Sequence, residues 1–272
     1  MTDKTPAAGD AKHTESPLLL ETKGHVRIMT MNRPERRNAL SPQLIHGLLE
    51  AFVEANVDPE VRVIILTGAG DLAFCAGADL KERKGADEQG KPFIPFTSNV
   101  TRYLFEAVLE TTKPVIAALN GPAVAGGFEL ALACDIRIAA DHTVFGLPEA
   151  KRGMGAHFAT VILPRLLPMG IALEALYTGD YFNIDEAKRW GLVNHVVPKG
   201  GALDKAMELA TKIAANAPVS VRRMKETAIK ASGMPFAAAI RLNEGVSPYQ
   251  SEDRIEGIRA FVEKREPEWK GR

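Results

Sequence analysis

The stretch that decides the fold covers residues 120–135 and reads NGPAVAGGFELALACD. The preceding run over residues 115–119, VIAAL, is typical of a short buried strand. After a turn, the pattern predicts a helix whose first residues are Gly126 and Gly127. A helix that begins in glycines presents unpaired backbone N–H groups with no side chain in the way, which suits a developing negative charge. Glu129 lies one turn beyond Gly126 on the same face, so the stretch predicts half of an oxyanion hole beside an acid.

Two further segments carry chemistry. Residues 74–81 (FCAGADLK) follow a predicted strand over residues 61–66, and their small side chains let a ligand approach the backbone. In the segment FGLPE, Pro148 fixes the backbone just before a second acid, Glu149. Between these segments, residues 81–92 (KERKGADEQGKP) are charged and interrupted by glycine, which predicts a mobile loop beside the site.

The order of the segments predicts an α/β layer architecture. Strand-like and helix-like runs interleave over residues 17–218, and residues 219–272 are almost entirely helical in pattern. Hydrophobic residues make up 46% of the chain and charged residues 25%, which suits one globular domain with a smaller appendage. In the C-terminal part, apolar side chains such as Phe236 and Phe261 predict burial against a neighbouring subunit.

Charge and cysteine content argue against several classes of protein. The chain holds 34 basic and 34 acidic residues, so no overall field favours nucleic acid or an anionic membrane. The only cysteines are Cys75 and Cys134, which form no CxxC pair, and no histidine cluster has metal-ligand spacing. We expect no metal, no membrane segment and a reduced, cytoplasmic compartment, with residues 1–16 as a disordered tail that mixes acidic and basic side chains.

One competing motif predicts a different activity. Residues 68–73 (GAGDLA) follow a strand and fit the dinucleotide pattern GxGxxA. A dinucleotide site needs an amphipathic helix and a second strand after that pattern, but Gly77 interrupts the helix and residues 81–92 cannot form a buried strand. We therefore expect a turn at residues 68–73. The chain has neither the GxSxG motif of serine hydrolases nor a P-loop motif. With 6% aromatic residues, it has few side chains for the sugar-stacking groove of a glycosidase.

Five motifs occur here in a familiar order. They are NRP with NAL (residues 32–40), AGADLK, NGPAVAGGFELALACD, FGLPE and the late FVEKR (residues 261–265). In this order, from about residue 18 to the C-terminus, the chain resembles the crotonase or enoyl-CoA hydratase family. The resemblance implies a spiral of ββα units with a helical C-terminal trimerisation region, assembled as a trimer or a dimer of trimers. It also implies an acyl-CoA substrate, with no separate cofactor because coenzyme A is part of the substrate. From the balanced charge we expect no nucleic acid or membrane partner.

The resemblance assigns roles to individual residues. It places the thioester oxygen against the backbone N–H groups of Ala78 and Gly126, with Glu129 and Glu149 on either side of the acyl double bond. Because both acid positions are filled, the pattern is closest to enoyl-CoA hydratase, which adds water across that bond. Water must lose a proton as it attacks Cβ and Cα must gain one, so two acids meet the need. Further substrate-binding positions implied by the resemblance are Arg37, Ala76, Asp79, Leu80 and Lys264.

Two departures from the family pattern leave the acyl group open. Where the family usually has a proline and a Gly-Gly pair after the second glutamate, this chain reads GMGAHF over residues 153–158. Phe128 also stands where a small residue is common, and both changes are expected near the acyl pocket. An isomerase that shifts the double bond with one acid, another acyl-CoA lyase, and a non-catalytic module that binds CoA or RNA remain alternatives. Arg222, Arg223 and Lys225 are the nearest candidate for a basic patch.

Overall fold

The computed structural model describes residues 16–91, 103–243 and 245–272. The strands are β1 (Leu18–Lys23), β2 (Val26–Met31), β3 (Val63–Gly68), β4 (Val115–Leu119), β5 (Ala123–Val124), β6 (Ile136–Ala140), β7 (Val144–Gly146), β8 (Tyr181–Asn183) and β9 (His195–Val197). The helices are α1 (Pro42–Val57), α2 (Leu80–Glu88), α3 (Leu104–Glu110), α4 (Gly126–Ala133), α5 (His157–Leu166), α6 (Met169–Thr178), α7 (Ile184–Arg189), α8 (Ala202–Ala214), α9 (Pro218–Lys230), α10 (Phe236–Ala239) and α11 (Glu252–Glu263).

Two sheets organise the described residues. The larger has six strands in the order β1-β2-β3-β4-β6-β9, and the smaller has three in the order β5-β7-β8. In the larger sheet β1 and β2 form an antiparallel hairpin, and the strands from β2 onward pair in parallel. Parallel strands bring their carboxyl ends to one edge, so the segments that follow β3 and β4 meet there. The mixed sheet with flanking helices confirms the predicted α/β class.

Helices cover both faces of the larger sheet. Every residue of β3 is buried; Val63 and Ile65 belong to one apolar cluster, and Ile64 and Leu66 to the other. The first cluster lies under α8, whose Ala202, Ala206, Ala210 and Ala214 recur every four residues and bring that helix close to the strands. The second cluster is larger and also contains the buried faces of α1, α3 and α4. Burial on both faces explains why the strands read as unbroken apolar runs.

The loop after β3 does not have the helix that a dinucleotide-binding site needs. Residues 69–72 form bends and residues 69–73 contain no helix, as predicted from the residues that follow them. The side chain of Asn120, just after β4, closes this loop: its Oδ1 accepts a hydrogen bond of 3.1 Å from Gly68 N–H, and its Nδ2 donates to the Gly70 carbonyl oxygen at 2.7 Å. The loop is thus held to the end of the neighbouring strand.

The prediction of a loop over residues 81–92 was wrong for most of that segment, because residues 80–88 form α2. Asp79 caps the helix, since its Oδ1 accepts a hydrogen bond of 3.2 Å from Glu82 N–H. Ion pairs one turn apart, Arg83 with Asp87 and Lys84 with Glu88, support a solvated helix. The charge that suggested a loop therefore belongs to an exposed helical face, and Pro92 lies outside the described residues.

The C-terminal part is helical, as predicted, and packs on the core through α9. Lys225 Nζ lies 2.8 Å from Asp135 Oδ2 and donates to the Lys113 carbonyl oxygen at 2.9 Å. Further along, Phe236 and Phe261 are 81% and 84% exposed in the single chain. The predicted tail over residues 1–16 lies, apart from Ser16, outside the described residues. Among the helices that the structure describes, none is long and apolar enough to span a membrane.

Candidate active site

Two glycines bring the segments after β3 and β4 into contact. A side chain on Gly127 would overlap the Cys75 carbonyl oxygen, and one on Gly77 would come within 2.7 Å of Ala125 Cβ and 3.1 Å of Gly126 N. Gly77 also has a φ of +84°, which disfavours any other residue. Glycine at both positions therefore lets the two backbones approach as closely as they do. The AGAD and AGG motifs thus form one site.

The contact exposes a pair of backbone donors. Leu40 and Ala78 form an isolated parallel bridge in which Leu40 N–H donates to Gly77 O and Asp79 N–H donates to Leu40 O, so Ala78 N–H points away from the bridge. Gly126 is the first residue of α4, where no intrahelical acceptor exists for its N–H. Within the described residues neither N–H donates to a protein acceptor. Two free donors on adjoining segments can hold one negatively charged oxygen.

Strained backbone lies directly before the second donor. Ala125 has φ 52° and ψ −133°, a region that a residue with a Cβ rarely adopts. Its N–H donates to the Gly146 carbonyl oxygen at 2.8 Å, and its own carbonyl oxygen accepts from the N–H groups of Phe128 and Glu129. These bonds hold the sharp entry into α4 and leave the first N–H of the helix without an internal acceptor. Strain of this kind is common at functional sites.

The first acid is buried beside those donors. Glu129 is 5% exposed, and its Oε1 accepts a hydrogen bond of 2.8 Å from Ala159 N–H near the start of α5. Burial raises the pKa of Glu129 to about 7; the Ala159 and Phe158 N–H groups oppose the rise, and the charge of Glu149 adds to it. A carboxyl group with a pKa near neutrality can give or take a proton at physiological pH.

The second acid comes from the smaller sheet. Strand β7 pairs with β5, which places the turn after β7, and Glu149 with it, beside the start of α4. Glu149 is 8% exposed, and its Oε2 is buried without a hydrogen-bond partner among the described residues. Burial raises the pKa of Glu149, against the effects of its own backbone N–H and of Arg152. An unsatisfied buried carboxylate oxygen is costly, which is typical of a group held ready for a ligand.

Aromatic rings adjoin the donors and the acids. A side chain on Gly126 would begin 3.9 Å from Phe105 Cζ, and the Phe105 ring lies 4.7 Å from Tyr103 and 5.2 Å from Phe158 between ring centroids. Burial, then the charges of Glu129, Glu106 and Glu149, raise the pKa of Tyr103 above its ordinary value. Tyr103 and Phe158 are only partly buried, so this aromatic row borders the site and belongs partly to the core.

The other residues predicted to bind substrate differ in how far their side chains are exposed to solvent. Arg37, Ala76 and Leu80 are at least partly open to solvent, and Arg37 has a φ of +52° that ends a short 3-10 helix. Asp79 is buried and its carboxylate pairs with Arg33 at 3.0 Å. Its backbone N–H donates to Leu40 O, and its carbonyl oxygen accepts from Arg83 N–H. Lys264 ends α11 in an exposed position, and within the described residues no hydrogen bond or ion pair joins it to the site.

The two departures from the family pattern have different consequences. The side chain of Phe128 is fully buried and packs against Phe145 and Phe182 at centroid distances of 5.2 and 5.6 Å, so it belongs to the apolar core. The segment after Glu149 does reach the site, because it leads into Ala159, which binds Glu129. Neither Ala159 nor Tyr103 was predicted from the sequence, although the departure at residues 153–158 lies directly before Ala159.

Comparison with known proteins places the chain in one family. The profile of the family described as Enoyl-CoA hydratase/isomerase matches residues 21–272. The chain is 39% identical over 267 residues to an (E)-benzylidenesuccinyl-CoA hydratase from Thauera aromatica, covering 94% of this chain and 99% of that protein. It is 43% identical over 262 residues to a carnitinyl-CoA dehydratase from Proteus mirabilis, covering 94% of this chain and 98% of the relative.

The fold agrees with the sequence relationship. A crystal structure of an enoyl-CoA hydratase from Bacillus anthracis matches with a TM-score of 0.86 at 40% identity, covering 94% of this chain and 100% of that chain. The chain belongs to the enoyl-CoA hydratase/isomerase family of the crotonase superfamily and has the crotonase fold. The resemblance seen in the sequence motifs is confirmed.

Proposed function

We propose that the protein is an enoyl-CoA hydratase, which reversibly adds water across the α,β double bond of an enoyl-CoA thioester. The observation that carries the proposal is the pair of buried acids with raised pKa values, Glu129 and Glu149, beside two free backbone N–H groups. Hydration needs a base, an acid and a stabilised enolate oxygen, and these groups supply all three. Relatives named as a hydratase and as a dehydratase of CoA thioesters support the same chemistry.

In the proposed mechanism, one glutamate gains a proton and the other loses one. The N–H groups of Ala78 and Gly126 hold the thioester oxygen and stabilise the negative charge that develops on it. One of Glu129 and Glu149 takes a proton from water as its oxygen attacks Cβ, and the other gives a proton to Cα. The pair therefore begins and ends with one shared proton. Raised pKa values at both positions favour a pair that retains one proton near neutral pH.

The alternatives have less support. An isomerase needs only one acid, whereas both are buried here and the charge of Glu149 affects the pKa of Glu129. A module that binds RNA needs basic side chains free for phosphate. Arg222 and Arg223 instead donate to carbonyl oxygens of Gly271 and Leu242, at 3.0 Å each, and Lys225 pairs with Asp135. The basic patch considered in the sequence is thus occupied by contacts within the chain.

We also infer that the protein assembles as trimers, alone or as a dimer of trimers. The C-terminal helices leave large apolar side chains uncovered in the single chain, and exposure on this scale marks an interaction surface. These side chains are Phe236, Ile240, Ile255, Ile258, Phe261 and Val262. In the trimer, Lys264 and Arg37 are candidates for contact with the phosphates of CoA, and the backbone of Ala76, Asp79 and Leu80 lines the path of the thioester arm.

The test is incubation of the purified protein with crotonyl-CoA and with longer or aryl-substituted enoyl-CoAs, while the absorbance of the conjugated thioester is followed. Loss of that absorbance, with a β-hydroxyacyl-CoA as product, is the expected result. The series also defines the acyl group, because the (E)-benzylidenesuccinyl-CoA and carnitinyl-CoA named for the relatives differ widely in shape. A protein that binds these thioesters and consumes none of them is not a hydratase.

A further inference from the structure

The peptide that carries Ala78 N–H is held by a neighbouring loop. Ala76 N–H donates to Arg37 O at 3.1 Å, Leu40 N–H donates to Gly77 O at 2.8 Å, and Asp79 N–H donates to Leu40 O at 3.2 Å. Ala78 therefore lies between two hydrogen bonds to Leu40. Gly126 N–H is fixed by a helix start, but Ala78 N–H depends on this loop for its direction.

An ion pair locks the loop to the residue after Ala78. The Asp79 carboxylate accepts from Arg33 at 3.0 Å and from Glu82 N–H at 3.2 Å, and the other terminal nitrogen of Arg33 donates to Ala39 O at 2.6 Å. The guanidinium fork thus joins the segment before Leu40 to the segment after Ala78. Burial opposes ionisation of Asp79, but the bonds from Glu82 and Arg33 and the charge of Arg36 hold its pKa below the ordinary value.

The loop itself is fixed at its other end by a fully buried amide. Asn38, in the left-handed region with φ 55°, accepts from Arg33 N–H at 3.0 Å through Oδ1. Its Nδ2 donates to the carbonyl oxygens of Ala69 and Ala73 at 3.0 and 2.8 Å. Arg33 is therefore anchored at its backbone and at its guanidinium, and its position relative to Ala78 is set from both sides.

We propose that Arg33 and Asp79 are a positioning pair that aims Ala78 N–H at the thioester oxygen. The inference rests on the proposed function, because it takes Ala78 as one of the two oxyanion donors. Neither side chain touches the substrate; the pair acts through the backbone on each side of Ala78. A donor displaced by a fraction of an ångström stabilises the developing charge less well in the transition state, so the pair affects turnover more than binding.

The kinetic test compares Asp79→Asn with a matched control. Asp135 is also an aspartate that accepts from a cation and a backbone N–H, at 2.8 Å from Lys225 and 2.7 Å from Val115, and no bond joins it to the Ala78 segment. Asp135→Asn therefore measures the general cost of losing such a pair. We expect Asp79→Asn to lower kcat about tenfold to a hundredfold with KM nearly unchanged, and Asp135→Asn to lower thermal stability without that loss of kcat.

The spectroscopic test reports on the donor itself. The infrared carbonyl stretch of an isotope-labelled saturated acyl-CoA shifts to lower frequency when an oxyanion hole binds it, and we expect Asp79→Asn to lose part of that shift. If Asp79→Asn does not fold, the same measurement can be made on Arg33→Lys. Lysine keeps the positive charge but cannot donate from two nitrogens to two acceptors as the guanidinium group does. If Asp79→Asn has the same infrared shift and the same kcat as Asp135→Asn, the positioning role is overturned. No shift in the wild-type protein would instead remove the oxyanion hole, and the inference with it.

Discussion

Ala159 N–H donates a hydrogen bond of 2.8 Å to Oε1 of Glu129. The start of α5 thereby orients one acid of the site, while Oε2 of Glu149 is buried with no partner among the described residues. One acid is thus held by a backbone donor, whereas one oxygen of the other has no such partner. Both side chains are shielded from water, and burial is the largest cause of the raised pKa at each.

The first prediction concerns the two acids separately. Glu129→Gln and Glu149→Gln should each lower kcat by about 10²- to 10⁴-fold, because glutamine cannot transfer the proton, while the affinity for CoA thioesters changes little. Glutamine retains an oxygen that can accept from Ala159 N–H, so the fold should survive. Steady-state kinetics with an enoyl-CoA give the answer, with the exposed Glu174→Gln as the control. Near wild-type hydration by Glu149→Gln would contradict a two-acid mechanism and favour the isomerase.

The raised pKa of Glu129 predicts a pH-dependent cost to stability. Because its pKa rises from 4.5 to about 7 on folding, the folded protein binds more protons than the unfolded chain between these values. The contribution of Glu129 to the free energy of unfolding is therefore fully present below pH 4.5, and it is lost as the pH rises through about 7. The shift corresponds to about 3 kcal/mol at most. Glu129→Gln, which does not titrate, should gain in free energy of unfolding over wild type between about pH 4 and about pH 8. The measurement is denaturant unfolding of both proteins across this pH range. If their free energies of unfolding change with pH in the same way, the prediction is wrong.

Substitutions at Gly126 test its proposed role as an oxyanion donor. Its φ is not positive and it begins α4, where proline is tolerated, and a side chain there would meet Leu40 Cδ1 at 3.5 Å, an ordinary contact. Gly126→Ala keeps the N–H and should retain most activity. Gly126→Pro lacks the N–H and should lose about 10²- to 10³-fold in kcat. Equal rates for the two folded variants would place the oxyanion site elsewhere.

Local signals predicted much of the fold, whereas the two acids were proposed from the family resemblance. The apolar run of β4 and the glycine start of α4 agree with the structure because strand burial and helix starts are local properties. The contacts that tune the site join residues far apart in sequence: Ala159 and Glu129 are separated by 30 positions, and Arg33 and Asp79 by 46. No periodicity encodes such pairs. The error at α2 arose because charge was weighed above the cap that Asp79 supplies.

The assembly prediction can be tested by one surface substitution. Trp269 Nε1 donates to Ala215 O at 2.7 Å, so truncating the C-terminus would also disturb the core. Phe261→Asp changes a side chain that is 84% exposed and should leave the subunit folded. We expect light scattering to show loss of the trimer and calorimetry to show weaker CoA binding. Val57→Asp, at a position 75% exposed on α1, is the control. A Phe261→Asp protein with unchanged mass and CoA affinity would exclude α11 from both the interface and the CoA site.

Whether this site adds water to an enoyl-CoA can be read from the mass of the product formed in heavy-oxygen water. Hydration by Glu129 and Glu149 predicts a β-hydroxyacyl-CoA that has gained one molecule of solvent, with the heavy oxygen on Cβ. At the same enzyme concentration, the Glu149→Gln protein should form this product about 10²- to 10⁴-fold more slowly. A product of unchanged mass with a displaced double bond, or no product from any enoyl-CoA that binds, would show that the protein is not an enoyl-CoA hydratase.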